Sequence, residues 1–539
     1  MAGTPHVLQL GGGYVAITLS RALREPIRRG ELCGTVVSRE NFHAFHGFVG
    51  EMVTGRIGPG NMLSPARRIF PPCAVHVAEI EEIDLTGNRV VTSRHLDGVR
   101  TTLEYDHLVI GLGTTENLEI YPGLAEHAFK LKAYADCLRL RNHLLEMFEL
   151  AEIESDPEER RRLLTFVVAG GGYSGTELAG ELADFARLLT SREYSRIGPD
   201  EWRVVLVHHG ATIMPEFHGT SSYERGARAH PRLVAYATRH ARALGVELLT
   251  ETSVAAATPN EVFLSNGMHV PTRTIVSTCG TRPQPVLEAL GLPSDEHGRV
   301  LTDRYLRVEG FENVWAGGDC AAVAHPHGGT CPPVGLYALK HGARIGSNIR
   351  RAAGGLELEP YDYSAFAAGI SIGGRNAVGE VRGIPLRGKA GWILWRAILV
   401  YFLPTWDRRL RLLADWVIWP LVGRDIVELE HAPRSDYEVR HEVFDAGETL
   451  AHVERPVRYI HVILEGDVEL VRNDEVVGAL NAGSHFGRKV LELHPADEAR
   501  AVTRVRTLSL REDQAEKLHD LLASAGRLRA RTASFEVEA

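Results

Sequence analysis

Cysteine is scarce here and never closely paired. Cys33, Cys73, Cys137, Cys279, Cys320 and Cys331 form no Cys-x-x-Cys pair. No cysteine–histidine spacing resembles a zinc site, so neither an adjacent-cysteine redox centre nor a metal site is expected. The pattern suits reduced thiols in a cytosolic protein. Lysine is also sparse, limited to Lys130, Lys132, Lys340, Lys389, Lys489 and Lys517, and arginine supplies nearly all the positive charge. The formal net charge of −9 argues against nucleic acid as a partner, because phosphate binding needs a basic face. The apolar run Trp392–Leu403 is too short for a bilayer span, which takes about 20 residues. The chain opens directly into a strand pattern, so no secretory signal is expected.

The 539 residues, 44% of them hydrophobic and 24% charged, provide core material for three or four domains. Two glycine turns stand out. Gly11, Gly12 and Gly13 follow the apolar run Val7–Leu10, and Gly170, Gly171 and Gly172 follow Phe166–Ala169. A turn of this kind lets the backbone approach a pyrophosphate that rests on the next helix's N-terminus. A third glycine stretch, Gly317-Gly318-Asp319-Cys320, carries an acid. Together they predict two dinucleotides on one chain and hydride transfer between them.

Strands and helices alternate around both turns, which predicts an α/β fold with two doubly wound, Rossmann-like units. Helices are expected over Ala16–Arg29, Ser174–Leu189 and Pro332–Arg351. Residues 388–423 hold five of the seven tryptophans beside Arg408, Arg409 and Arg411. Tryptophan, aliphatic residues and arginine together predict helices lying in a membrane interface. A buried helical hairpin or a homodimer contact is the alternative. From about residue 434 short alternating strands predict a small antiparallel roll, closed by a helix over Glu512–Ala523.

The run from Val168 through Gly175-Thr176-Glu177 to Leu182 resembles the type II NADH dehydrogenases. So do Asn41–Phe45, Tyr105–Val109, Arg141–Phe148, Gly317–Ala321 and the tail through Trp416. That family passes electrons from NADH through FAD to membrane quinone without pumping protons. The resemblance covers about residues 5 to 425, and the remainder resembles a cyclic-nucleotide-binding β-roll. It implies an FAD domain from 1–120 with 296–387, an NAD(P)H domain at 121–295, a membrane-associating segment at 388–425 and a β-roll at 431–525. It also implies a peripheral enzyme on the cytoplasmic face of the cell membrane.

Carried over by position, Gly11, Gly12, Gly13 and Ala16 would form the FAD turn, with Asp319 on the ribityl or pyrophosphate portion. Val77, Gly111 and Gly113 would border the flavin's adenosine half. Gly170, Gly172, Gly175 and Gly280 would cradle NADH or NADPH, and Glu177 would orient the nicotinamide against the flavin. The helix from residue 334 would aim its positive end at the flavin.

Several positions depart from the family. The ribose-binding acid expected after the first turn is Ser38, in Ser38-Arg39-Glu40, with Glu40 as the substitute. Its counterpart after the second turn is His208, which tolerates a 2′-phosphate better than a carboxylate does, so NADPH stays open beside NADH as the donor. The family's Ala-Gln-x-Ala-x-Gln stretch reads Gly335-Leu336-Tyr337-Ala338-Leu339-Lys340, so Lys340 is the candidate charge near the flavin, with a solvated lysine as the alternative. In the roll, Phe486-Gly487-Arg488 replaces Phe-Gly-Glu and Arg500 lies beside the usual arginine position, so a roll without cyclic AMP is favoured. A flavin or nucleotide redox sensor, or a flavoenzyme with a non-quinone acceptor, are the other readings.

Overall fold

The computed structural model describes residues 4–95, 97–218, 230–429, 439–452, 459–487 and 496–511. The expected helix at Glu512–Ala523 and residue Arg488 lie outside the described residues.

Two five-stranded parallel sheets organise the chain. The first runs in the order Val314–Ala316, His107–Ile110, His6–Leu10, Cys33–Ser38, Ala74–Val77. A strand from beyond residue 300 thus completes a sheet begun at the N-terminus. The second runs Ala128–Phe129, Thr274–Ser277, Thr165–Ala169, Arg203–Val207, Val246–Leu249. Their central strands are buried on both faces, as parallel strands between helix layers must be, and are apolar apart from His6, Gln9 and Thr165.

The helix expected over Ala16–Arg29 is two pieces, Tyr14–Ala22 and Arg24–Arg28. Pro26 is the cause: it lacks the N–H that would bond to the Ala22 carbonyl, and its ring crowds that oxygen. The first piece packs closely on helix Gly335–Ala353. A Cβ on Gly342 would lie 2.1 Å from the Val15 carbonyl oxygen, and one on Gly346 would lie 2.6 Å from Ala22 Cβ.

A small antiparallel sheet, Ala367–Ser371, Ala377–Val381 and Ile384–Arg387, leans on helix Tyr173–Arg192 of the second unit. Gly180 admits it, because a Cβ there would sit 2.4 Å from the Ile372 carbonyl oxygen. Part of the stretch expected to complete the first unit therefore packs on the second.

The tryptophan-rich segment is a pair of helices, Gly388–Phe402 and Trp406–Val422. Leu403 and Leu412 face inward and are fully buried, whereas Tyr401, Trp406, Leu410, Val417, Leu421 and Val422 are exposed. Among the described residues no helix is long and apolar enough to cross a membrane.

The C-terminal strands form two four-stranded antiparallel sheets. Phe444, Ile463, Leu470, Phe486 and Val505 fill the space between them. Arg500 pairs with Glu498 and Glu469 of the same sheet. The sandwich touches the second unit at Glu448, which accepts hydrogen bonds from Thr258 Oγ1 at 3.0 Å and Asn260 Nδ2 at 3.2 Å.

Candidate functional site

The two glycine turns repeat one construction. Gly11 N–H donates to the Val37 carbonyl and Gly170 N–H to the Val207 carbonyl, both at 2.8 Å. Both glycines have positive φ, +94° and +109°. A Cβ on Gly11 would lie 2.4 Å from the Gly111 oxygen, and one on Gly170 would lie 2.5 Å from Thr278 Oγ1. The side chain ending the next strand tucks beneath each turn. Ser38 Oγ lies 2.5 Å from where a Gly12 Cβ would be, and His208 Cγ lies 2.7 Å from a Gly171 Cβ.

Both turns open into one cavity of about 1550 Å³, larger than the few hundred to 1,000 Å³ typical of a single small-molecule pocket. Gly11, Gly12, Gly13, Ser38, Arg39, Glu40, Gly111, Gly113 and Asp319 line it from the first unit. Gly172, Gly175, Glu177 and Gly280 line it from the second. Ala16, Gly170 and His208 support the turns from below, and Val77 yields its place on the wall to Ala78 and Glu79. Lys340 does not line the cavity. It is exposed with its Nζ 4.9 Å from the centre of the Tyr363 ring, while Leu336–Leu339 of the same turn form the wall.

Asp319 lies 3.7 Å from Lys132 Nζ. The preceding residue, Gly318, donates its N–H to His341 Nδ1 at 3.0 Å. Burial pushes His341 down to about 3, so its ring is neutral and accepts that bond. His208 Nδ1 accepts the Gly171 N–H at 3.2 Å, and burial followed by the neighbouring His209 lowers its pKa. Beyond Ser38, Arg39 pairs with Glu79 at 2.6 Å, which places an acid unread in the sequence on the cavity wall.

Glu177 is a titratable group on the cavity wall. Burial pushes its carboxyl up to about 8, against the lowering effect of Arg396 and with further raising by Glu181 and Glu51. Arg396, from the tryptophan-rich helices, is 2% exposed and sits 2.7 Å from Glu51 and 3.7 Å from Glu177. Glu51 also accepts from Trp416 Nε1 at 3.0 Å. Behind them Arg56 meets Glu181 at 3.2 Å, and Asp184 joins Arg56 to Arg424. Buried charges persist when paired in this way. Glu51 and Arg396 escaped the sequence reading because Arg396 stands among residues patterned for a membrane surface.

One arm of the cavity is apolar. Phe45, Leu339, Trp395, Ile398, Leu399 and Phe402 line it, leading from the first unit to the helical pair. All six cysteines are free thiols, and among the described residues no cluster of metal-ligating side chains occurs.

A sequence model of the pyridine nucleotide-disulphide oxidoreductases matches residues 5–343, and the chain belongs to that family. The cofactors that family and geometry together imply are FAD and NAD(P)H. The turns fit them, since a Cβ on Gly11, Gly12, Gly170, Gly171 or Gly172 would meet backbone or side-chain atoms too closely to keep.

Among characterised relatives, the chain is similar to the type II NADH:quinone oxidoreductase Ndh of Mycobacterium tuberculosis. The two are 27% identical over 428 residues, covering 77% of this chain and 87% of the relative. It is 28% identical over 429 residues to the demethylphylloquinone reductase NdbB of Synechocystis, covering 77% and 96%. Its fold is similar to that of Plasmodium falciparum NDH2 solved with NADH. There the TM-score is 0.71 at 14% identity, over 79% of this chain and all of the other.

Proposed function

We propose that this chain is an FAD-dependent NAD(P)H dehydrogenase that passes electrons to a membrane quinone without pumping protons. The observation that carries the reading is the single cavity joining both turns, with Glu177 on its wall and an apolar arm reaching the exposed helices. The relatives named for NADH:quinone and demethylphylloquinone reduction support the same chemistry.

In this reading Gly11–Gly13 and Asp319 hold FAD, and Gly172 and Gly175 admit the nicotinamide dinucleotide. The flavin, when bound, accepts a hydride and returns electrons in a separate half-reaction. The chain's own part is positioning and proton handling. With its pKa near 8, Glu177 carries a proton at neutral pH. A neutral carboxyl in the cavity donates a hydrogen bond to the nicotinamide carboxamide and holds a proton for the acceptor, which takes up two on full reduction. Arg396, itself held by Glu51, faces Glu177 from behind. The N-terminus of helix Gly335–Ala353 contributes its positive end to the wall at Val334–Leu336.

The apolar arm is where a quinone ring enters, and the outward faces of the helical pair rest on the membrane, on the cytoplasmic side. A homodimer contact is the competing use of those faces. The domain assignments follow: FAD on the first unit, NAD(P)H on the second. The C-terminal sandwich is a cyclic-nucleotide-binding-like roll in a structural or regulatory role. The engagement of Arg500 by Glu498 and Glu469 favours the absence of cyclic AMP binding there.

The test is direct. Purified protein should show a flavin spectrum that bleaches with NADH or NADPH and recovers on adding a short-chain quinone. Recovery with no quinone tried would point to another acceptor, and no bleaching to a sensor. Removing residues 388–423 is a poor test of membrane docking, because it also strips Arg396 from Glu51. Trp406→Ser with Leu421→Ser changes only the exposed face and should shift the protein from pelleting with liposomes to the supernatant. Unchanged pelleting overturns the anchor.

A further inference from the structure

After the strand Arg203–Val207 the chain makes a short turn, Pro215–His218, that brings Glu216 onto the second glycine turn. Glu216 Oε1 accepts the N–H of Tyr173, the first residue of helix Tyr173–Arg192, at 3.1 Å. A Cβ on Gly172 would lie 2.8 Å from the same oxygen. The carboxylate thus occupies the N-terminus on which a pyrophosphate rests in turns of this construction.

The turn is held firmly in place. Met214 sits at φ +58°, a strained left-handed backbone for that residue, and its N–H bonds to the Gly171 carbonyl at 2.7 Å. Phe217, almost fully buried, packs edge-on against Tyr173 with ring centres 5.4 Å apart. Yet Glu216 is poorly served where it is. Its Oε2 is buried with no hydrogen-bond partner among the described residues, and burial raises its pKa. A buried carboxylate oxygen without a partner costs free energy. The favourable field of the helix end offsets part of that cost.

We propose that Glu216 occupies the phosphate-binding turn in the dinucleotide's absence and competes with it, making Glu216 the affinity-setting residue for NAD(P)H. The inference rests on the assignment of the second turn to the nicotinamide dinucleotide. A pyrophosphate brings two negative charges to the N–H that Glu216 holds, so the carboxylate must leave before it can seat. The enzyme therefore binds its donor more weakly than the bare turn would. Release of product is helped by the same return of Glu216 to Tyr173.

The test uses flavin-loaded full-length protein titrated calorimetrically with ADP-ribose, which carries the pyrophosphate without the reactive ring. Glu216→Gln keeps the shape and removes the charge, and Glu216→Ala removes both. Each should tighten ADP-ribose binding about tenfold, the scale of one anion at a helix N-terminus. The KM for NADH should fall in step. Free adenosine, which has no phosphate, should bind all three proteins alike. Unchanged or weaker ADP-ribose binding in Glu216→Gln, with wild-type binding intact, overturns the inference and leaves the functional reading standing. ADP-ribose binding to none of the three overturns the nicotinamide site itself.

Discussion

Gly11-Gly12-Gly13-Tyr14 and Gly170-Gly171-Gly172-Tyr173 are the same four residues in the same local structure, yet they meet different surroundings. Each turn bonds to the adjoining strand at the same distance, and each has the end of that same strand beneath it. The differences begin at the next residue, Val15 against Ser174, and matter most one helical turn into each helix. Where the first helix has Thr18, bonded through Oγ1 to the Leu339 carbonyl at 2.5 Å, the second has Glu177 facing Arg396. The first turn lies over a small Ser38, the second over His208 and under Glu216. A shared motif makes two cradles. On the proposed reading, the residues around them make one a resident cofactor's site and the other a site that a substrate enters and leaves.

Breaking the first cradle should have the largest effect. Gly11→Ala puts a Cβ 2.4 Å from the Gly111 oxygen at a φ that disfavours any side chain. The protein should purify without flavin and be inactive, as the 450 nm absorbance checks. Gly175→Ala, whose Cβ would meet the Gly170 oxygen at 1.8 Å, acts on the second cradle alone. Flavin content should persist while the KM for NADH rises more than about tenfold, a cost of about 1–3 kcal/mol from overpacking.

His208→Asp should sharpen the comparison from the other side. A carboxylate there accepts ribose hydroxyls and repels a 2′-phosphate, so the ratio of kcat/KM for NADH over NADPH should rise about tenfold. An unchanged ratio would show that His208 does not contact the ribose.

A further contrast concerns Glu177 and pH. An unfolded glutamate ionises near 4.5 and this one, folded, near 8. Between those values the folded state holds the extra proton, so this group's contribution to stability falls as pH rises and levels off above about 8. Glu177→Gln lacks that slope. Its melting temperature should therefore gain on the wild type's between pH 5 and 9, by at most a few kcal/mol equivalent. Parallel melting curves across that range would place the carboxyl's pKa near its ordinary value.

The turns were legible in the residues. Glycines after an apolar run signal a strand-turn-helix because few other residues allow the backbone that turn requires, while Glu177 was picked out only through the resemblance to a family. Arg396 was not legible, because arginine among tryptophans and leucines reads as a membrane-surface cation. Burial against Glu51 gives it another part. Lys340 misled for the related reason that one residue's step around a helix turns a side chain from the cavity to solvent. Glu216 left no signal, since an acid in a connection after a strand is ordinary.

The sequence by itself determined the two dinucleotide cradles, the α/β alternation and the apolar-rich segment, because each depends on local backbone freedom or on periodicity. Only the tertiary structure decided what faces each cradle. Strands and helices distant in the chain deliver Arg396, Glu51 and Glu216 to the two sites. Their pairing and burial are properties of packing, which no local pattern encodes.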